Sequence, residues 1–264
     1  MLKQLNTIFT HRNFIYGSVR QDLAIRYKKS IFGVFWLILQ PLSTILVYTI
    51  VFSQVMQPRL PDAKGPYDFS IFLCSGLLTW ALFADILNRS QSMFTENANL
   101  LKKLNFPRIC IPVIEVTSAT LTFCFTIMIF FCFLIILGHF PGFVVMSILP
   151  IIALQIALAA SLGLTLGVLN VFFRDIGHAL AVILQFWFWL TPIVYPLSII
   201  PKWAQAIVNL NPMTAVVIAY QNVFTQGSIP SFKMLLPTFI VTLLTLFASL
   251  MLYSKKSNEM VDEL

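Results

Sequence analysis

Residues 110–137 read CIPVIEVTSATLTFCFTIMIFFCFLIIL and carry one charge, Glu115. A helix of about 20 apolar residues crosses the roughly 30 Å hydrocarbon core of a bilayer. Only helices and closed barrels satisfy their backbone groups there. Comparable runs recur at about 31–56, 69–88, 143–172, 179–200 and 235–253. Hydrophobic residues make up 58% of the chain and charged residues 10%, against about 45–50% and 25% in globular proteins. The expectation is an all-α integral membrane protein with six transmembrane helices, the spans together forming one domain over 31–253.

The first 30 residues differ. Leu2, Leu5, Ile8 and Phe9 fall at helical spacing, followed by Tyr16, Val19, Leu23 and Tyr27 at steps of three, four and four. Lys3, Arg12, Arg20, Arg26, Lys28 and Lys29 lie largely between them. This pattern predicts an amphipathic interface helix over 1–30, apolar face in the membrane surface and cations among lipid phosphates. The alternative is a solvated basic tail. Ser18-Val-Arg-Gln21 fits a capping box and places a helix start at Ser18. No cleavable signal peptide is expected, because this segment lacks a short apolar region with a small-residue cleavage site.

Gln40-Pro41 interrupts the first span, and 57–68 is a Pro- and Gly-rich turn. Residues 89–109 read as a polar connector, 138–142 as a tight turn, and 173–178 as another. In the fourth span Ala159, Gly163 and Gly167 stand four apart, a spacing that lets helices approach closely. The connection 196–234 is apolar but broken by Pro196, Pro201 and Asn211-Pro212. Its helical pieces, about 201–209 and 212–225, are too short to cross, which predicts two re-entrant helices within 201–225. Asn211 reads as an N-cap with proline at the first helical position. Residues 254–264 read as a charged tail.

Six spans place both termini on one side. Thirteen of the 17 lysines and arginines then fall on the terminal side, which makes it cytoplasmic. The net charge of +7 belongs to these loops and gives no reason to expect nucleic acid.

No catalytic apparatus is legible. The chain has no G-x-x-x-x-G-K-[ST] loop, so ATP binding by that route is excluded. His11, His139 and His178 are dispersed without metal-ligand spacing, and the four cysteines form no C-x-x-C pair. Asp85 and Glu115 sit near span ends, where Arg89 or Arg108 could partner them, so they read as structural rather than proton-coupling carboxylates. Aromatic residues concentrate in the first and fifth spans, the latter in Gln185-Phe-Trp-Phe-Trp-Leu-Thr-Pro-Ile-Val-Tyr195. Such rings form interfacial belts and packing, or a pore lining along which sugar rings slide on their C–H faces.

Five stretches add up to a family pattern. Asp22-Leu-Ala-Ile-Arg26-Tyr27-Lys-Lys-Ser30-Ile-Phe-Gly33-Val-Phe-Trp36 resembles the opening of polysaccharide-exporting ABC-transporter permeases. Asn97-Ala-Asn99-Leu-Leu-Lys102-Lys103-Leu-Asn-Phe106-Pro107-Arg108 resembles their cytoplasmic connector, and Leu169-Asn170-Val-Phe-Phe173-Arg174-Asp175 their next cytoplasmic turn. Thr191-Pro192-Ile-Val-Tyr195-Pro196 and Leu210-Asn211-Pro212-Met-Thr214 are similar to their fifth span and outer re-entrant region. Gln21 and Gln221 depart from the pattern, each standing where arginine is frequent.

The resemblance implies a homodimeric channel of the bacterial inner membrane, with cytoplasmic termini and two copies of a separate ABC ATPase. That partner would bind ATP and Mg, leaving this chain without a cofactor or enzymatic activity. The implied substrate is a polysaccharide on a polyprenyl pyrophosphate lipid, typically O-antigen, with capsule or teichoic acid as alternatives. A small-molecule efflux permease and a proton-coupled transporter are the readings from other classes. The resemblance implies a cytoplasmic coupling helix in the 89–109 connector, with ATPase-coupling residues Asn97, Asn99, Leu100, Lys102, Lys103, Phe106, Pro107 and Arg108, and places Arg174 and Asp175 in the next cytoplasmic turn. Arg20, Arg26, Tyr27, Lys28 and Lys29 would meet the lipid pyrophosphate at the interface. Phe32, Phe35, Trp36, Tyr48, Phe186, Trp187, Phe188, Trp189 and Tyr195 would line the glycan channel.

Overall fold

The structure, a computed structural model, describes residues 9–28, 33–52, 65–103, 107–257 and 259–263. Its helices are α1 (Arg12–Lys28), α2 (Trp36–Ile50), α3 (Asp68–Glu96), α4 (Ala98–Lys103), α5 (Cys110–Ile136) and α6 (Ile148–Phe172). They continue with α7 (Ile176–Trp189), α8 (Lys202–Leu210), α9 (Pro212–Gln221), α10 (Phe232–Lys256) and α11 (Glu259–Glu263). Among the described residues there is no strand.

Helix α3 is the axis. It runs 29 residues, about 44 Å at 1.5 Å per residue, and packs against α2, α5, α6, α7 and α9. Nothing in 68–96 breaks a helix, so it passes straight through 89, where the sequence predicted the connector to begin. The corrected boundary puts Arg89 on the helix, where its Nε donates to Asp85 one turn earlier at 2.8 Å. Helix α6 lies along α3 so closely that small residues are obligatory. A Cβ on Gly163 would stand 2.6 Å from Ser90 Cβ, and one on Gly167 would stand 2.6 Å from the Ser90 carbonyl oxygen. The predicted small-residue stripe is thus the α3–α6 seam, with Ala159 wholly buried beside it.

Helices α3, α5 and α10, and α6 together with the 3-10 turn Gly142–Ser147 before it, are long and apolar enough to cross a membrane. The predicted first and fifth spans fall on the shorter apolar helices α2 and α7. Pro41 sits inside α2 without ending it. Helix α7 stops at Trp189 rather than continuing to 200, because Pro192 and Pro196 cannot extend it. The backbone turns at Thr191, and a 3-10 turn follows at Leu197–Ile199.

Helix α1 starts six residues before the predicted Ser18 cap and runs through it. Its apolar face also differs from the predicted one. Ile15 and Val19 are buried, with Leu23 beside them, against Cys110, Val113 and Ile114 of α5. Tyr16 is 73% exposed. Ile15, Val19 and Leu23 at steps of four make a face that docks on protein, while Tyr16 and Ile25 remain outward. The predicted residues at 1–8, and the first-span segment before Gly33 and after Phe52, lie outside the described residues.

Candidate functional site

Leu77, Ala81, Ala84 and Asn88 stand at steps of four, three and four on α3 and so share one face. On that face Ala81 and Asn88 are exposed, although most of α3 is buried. Two grooves flank it. Trp36, Gln40, Thr44 and Tyr48, at strict steps of four along α2, face it across a groove of about 620 Å³. Ala119, Thr122, Phe123 and Thr126 of α5 form the floor. On the other flank, Ala181, Leu184, Gln185, Phe188 and Trp189 of α7 face it across a groove of about 420 Å³. Trp80, Ala84 and Asn88 belong to both grooves, so the two are sides of one wall.

Trp80 is the fulcrum of that wall. Its ring meets Phe188 edge-on at 5.8 Å and Trp187 edge-on at 6.4 Å, and lies tilted against Phe83 at 5.5 Å. Edge-to-face contacts of this kind are worth about 0.5–1.5 kcal/mol each beyond burial and fix ring orientation. The wall alternates aromatic faces with amides and hydroxyls: Gln40, Thr44, Asn88, Thr122, Thr126 and Gln185. Such a surface offers stacking to an apolar ring face and hydrogen bonds to hydroxyls around its edge.

The predicted channel residues divide. Trp36, Tyr48, Phe188 and Trp189 come together on the wall. Phe35 and Phe186 are exposed but lie outside both grooves, and Phe32 is outside the described residues. Trp187 turns inward, packing edge-on against Phe83 at 5.1 Å and donating its indole N–H to Asn211 Oδ1 at 2.8 Å. Tyr195 donates its hydroxyl to the Trp189 carbonyl, pinning the turn after α7. Trp80, Gln40, Asn88 and Gln185 were missed by sequence reasoning. The four-residue step along α2 could have found Gln40; Trp80 is a single aromatic inside an apolar run and carried no signal of its own.

Asn211 organises the connection beyond α7. Its Oδ1 accepts from Met213 N–H as the N-cap of α9, as predicted, while its Nδ2 donates to Thr191 Oγ1 at 2.8 Å. One amide therefore joins the end of α7 to the start of α9. Helix α9 is buried against α3, α6 and α10, and Gln221 donates to the Pro192 carbonyl at 3.1 Å. The glutamine that replaces the frequent arginine is thus an interior hydrogen-bond donor. Helix α8 exposes Trp203, Ile207 and Leu210.

At one end of the bundle the charged residues collect. Arg89 bridges Asp85 of its own helix and Asp22 of α1 at 3.4 Å, with Glu115 of α5 within electrostatic reach. This ties α1 to the end of the larger groove. Asn97 donates its side-chain amide to Met93 O, and its carbonyl accepts from Leu100 and Leu101. These bonds turn the chain from α3 into α4. Glu96, Asn99 and Lys102 are exposed on one side of this turn, Leu100 is half-buried, and Leu101 points inward and is buried. Arg108, one of the implied ATPase-coupling residues, donates to the backbone carbonyl of Ser257. Pro107 is half-buried. Lys103 ends α4, and Phe106 lies outside the described residues. Arg174 and Asp175 are exposed in the turn before α7, and Arg20 is exposed on α1. Arg26, Tyr27 and Lys28 complete α1, while Lys29 is outside the described residues. No cluster of three His, Cys, Asp or Glu side chains suited to a metal forms among the described residues.

A family model described as "ABC-2 type transporter" matches residues 15–225. The chain belongs to the ABC-2 type transporter family. Its relatives include the O-antigen export system permease protein RfbA of Myxococcus xanthus, 26% identical over the full length of both chains. The protein of the same name from Klebsiella pneumoniae is 32% identical over 78% of each chain. The polysialic acid transport protein KpsM of Escherichia coli is 25% identical over 91% of this chain and 92% of its own. This ABC-2 subunit is a multi-pass membrane protein, and the resemblance read from its motifs agrees with the family match.

Proposed function

We propose that this chain is the channel-forming permease subunit of an exporter driven by a separate ABC ATPase. It moves a polysaccharide linked to polyprenyl pyrophosphate, with O-antigen the favoured polymer, across the bacterial inner membrane. The observation that carries the reading is the wall shared by two grooves, with stacking rings from α2, α3 and α7 interleaved with amides and hydroxyls. It is open along one side and suits many weak, repeated contacts, as a sliding polymer requires. A drug-sized ligand would instead call for a closed pocket that buries most of its surface. The relatives named for O-antigen export support the choice of polymer.

Two copies would face each other across the α2–α3–α7 wall to close the channel, with six spans per copy and both termini in the cytoplasm. Helices α8 and α9 would be the re-entrant pair at the outer mouth. Arg20, Arg26, Lys28 and Lys29 would hold the lipid pyrophosphate at the cytoplasmic surface through charge-assisted hydrogen bonds to its oxygens. Asn99 and Lys102, with Arg174 and Asp175, would face the ATPase, which supplies the ATP and Mg chemistry. Similarity to a polysialic acid transport protein favours capsule export as the second reading.

Deleting the gene and comparing surface glycan with cytoplasmic lipid-linked glycan tests the proposal. Loss outside with accumulation inside is the expected result, and the trapped material identifies the polymer. An unchanged surface would sink glycan export.

A further inference from the structure

We propose that the C-terminal segment Tyr253–Glu263 is a brace that positions α4 for coupling to the ATPase. The sequence reads 254–264 as a charged tail, but its described residues fold back onto the bundle. Met260 is wholly buried in an apolar cluster with Leu101 of α4, Met93 and Phe94 of α3, and Val168 and Val171 of α6. Helix α11 packs against α4 and α6. Three further contacts hold it there. Tyr253 stacks on Phe94 with centroids 6.3 Å apart and planes 20° from parallel. Lys256 lies 5.6 Å over the Phe172 ring and pairs with Glu259. Arg108 closes the loop by donating to the Ser257 carbonyl and, at 3.3 Å, to its hydroxyl.

The physics of α4 explains why a brace is needed. It is six residues long, well below the length at which a helix holds itself in water. Among its described side chains Leu101 is the buried one, and Leu101 and Met260 share one apolar cluster. The exposed side, Glu96, Asn99 and Lys102, is therefore held in orientation from behind by residues more than 150 positions later. Met260, Tyr253 and Arg108 are positioning residues: they act through α4 and need not touch the ATPase. The family match ends at residue 225, so the brace is built from the part of the chain beyond it.

This inference rests on the reading of α4 as the ATPase-docking element, and the test separates the two. Purified full-length chain in lipid nanodiscs is compared by amide hydrogen exchange with Met260→Ala, Met260→Leu and a chain ending at Ser257. Met260→Ala and the truncation should speed exchange in 97–103 by about tenfold, leaving the centres of α3 and α6 protected. Met260→Leu, which keeps the volume, should restore protection. The same variants are then assayed for surface glycan beside Lys102→Glu, which leaves the brace intact. Unchanged exchange in 97–103 would overturn the brace. Faster exchange with normal export, and normal export by Lys102→Glu, would uphold the brace and overturn the docking reading. Faster exchange with export lost supports both.

Discussion

Gly167→Ala should destabilise the protein, while the same change at Gly17 should stabilise it. At Gly17, on the exposed side of α1, a new Cβ meets nothing within 4 Å. Replacing glycine by alanine in an open helix then contributes about 0.5–1 kcal/mol through reduced backbone freedom. At Gly167 the same Cβ would stand 2.6 Å from Met93 Cε and 2.6 Å from the Ser90 carbonyl oxygen. Ordinary contact lies at about 3.5–4.0 Å, so about 1 Å of movement is required. Met93 can swing aside; the carbonyl belongs to the backbone of α3 and cannot. Overpacking of this kind costs about 1–3 kcal/mol, which at its midpoint exceeds the helix gain and leaves a net loss centred on about 1 kcal/mol. For a chain of this size that corresponds to about 2–4 °C in midpoint.

The assay is the temperature at which half of a detergent-solubilised fluorescent fusion leaves its monodisperse peak. Gly17→Ala should raise that temperature and Gly167→Ala lower it. A rise for Gly167→Ala matching that of Gly17→Ala would refute the close α3–α6 seam. The consequence for transport follows from geometry. Ser90 and Met93 lie two and five residues beyond Asn88 on α3, so a seam forced apart also displaces the wall. Export should fall along with stability.

Removing the cation at the charged end should cost more than removing one of its partners. Arg89→Met takes away the charge that Asp22 and Asp85 share, from a side chain only 9% exposed. A loss of about 3 kcal/mol is expected, the low end of the buried-pair range because Asp85 is 38% exposed. Asp22→Asn should cost under about 1 kcal/mol. The same thermal assay ranks them, and equal effects would deny Arg89 its role as the hub. Neutralising Arg20, Arg26, Lys28 and Lys29 together should weaken binding of lipid-linked pyrophosphate substrate and flatten its salt dependence. Unaltered affinity and unaltered salt response would remove that role from α1.

What the sequence made legible was whatever depends on local pattern. Apolar runs located α3, α5, α6 and α10 within a few residues of their observed limits, apart from the C-terminal extension of α3. The Asn-Pro pair named the cap of α9 from chemistry alone, since no other residue type serves that position better before a proline. The stripe at Ala159, Gly163 and Gly167 foretold a close helix seam, though not its partner. Choosing α3 required knowing that Ser90 and Met93 present a backbone carbonyl and a flexible side chain at matching height.

The failures share a cause: polarity was read as exposure. Arg89 and the stretch after it looked like connector because they are polar, yet an i, i+4 ion pair with Asp85, a pairing the sequence did suggest, keeps Arg89 helical and half-buried. Arg108 was read for its charge alone, and its Nη1 also donates to a carbonyl more than a hundred residues away. The tail looked solvated because it holds Lys255, Lys256, Glu259, Asp262 and Glu263, while its single methionine decides where it goes. In a chain with so few charges, each charged residue is more informative about what it is paired with than about where water is. The apolar exceptions inside charged stretches, Met260 here and Leu101 in the connector, mark where such a stretch is anchored to the bundle.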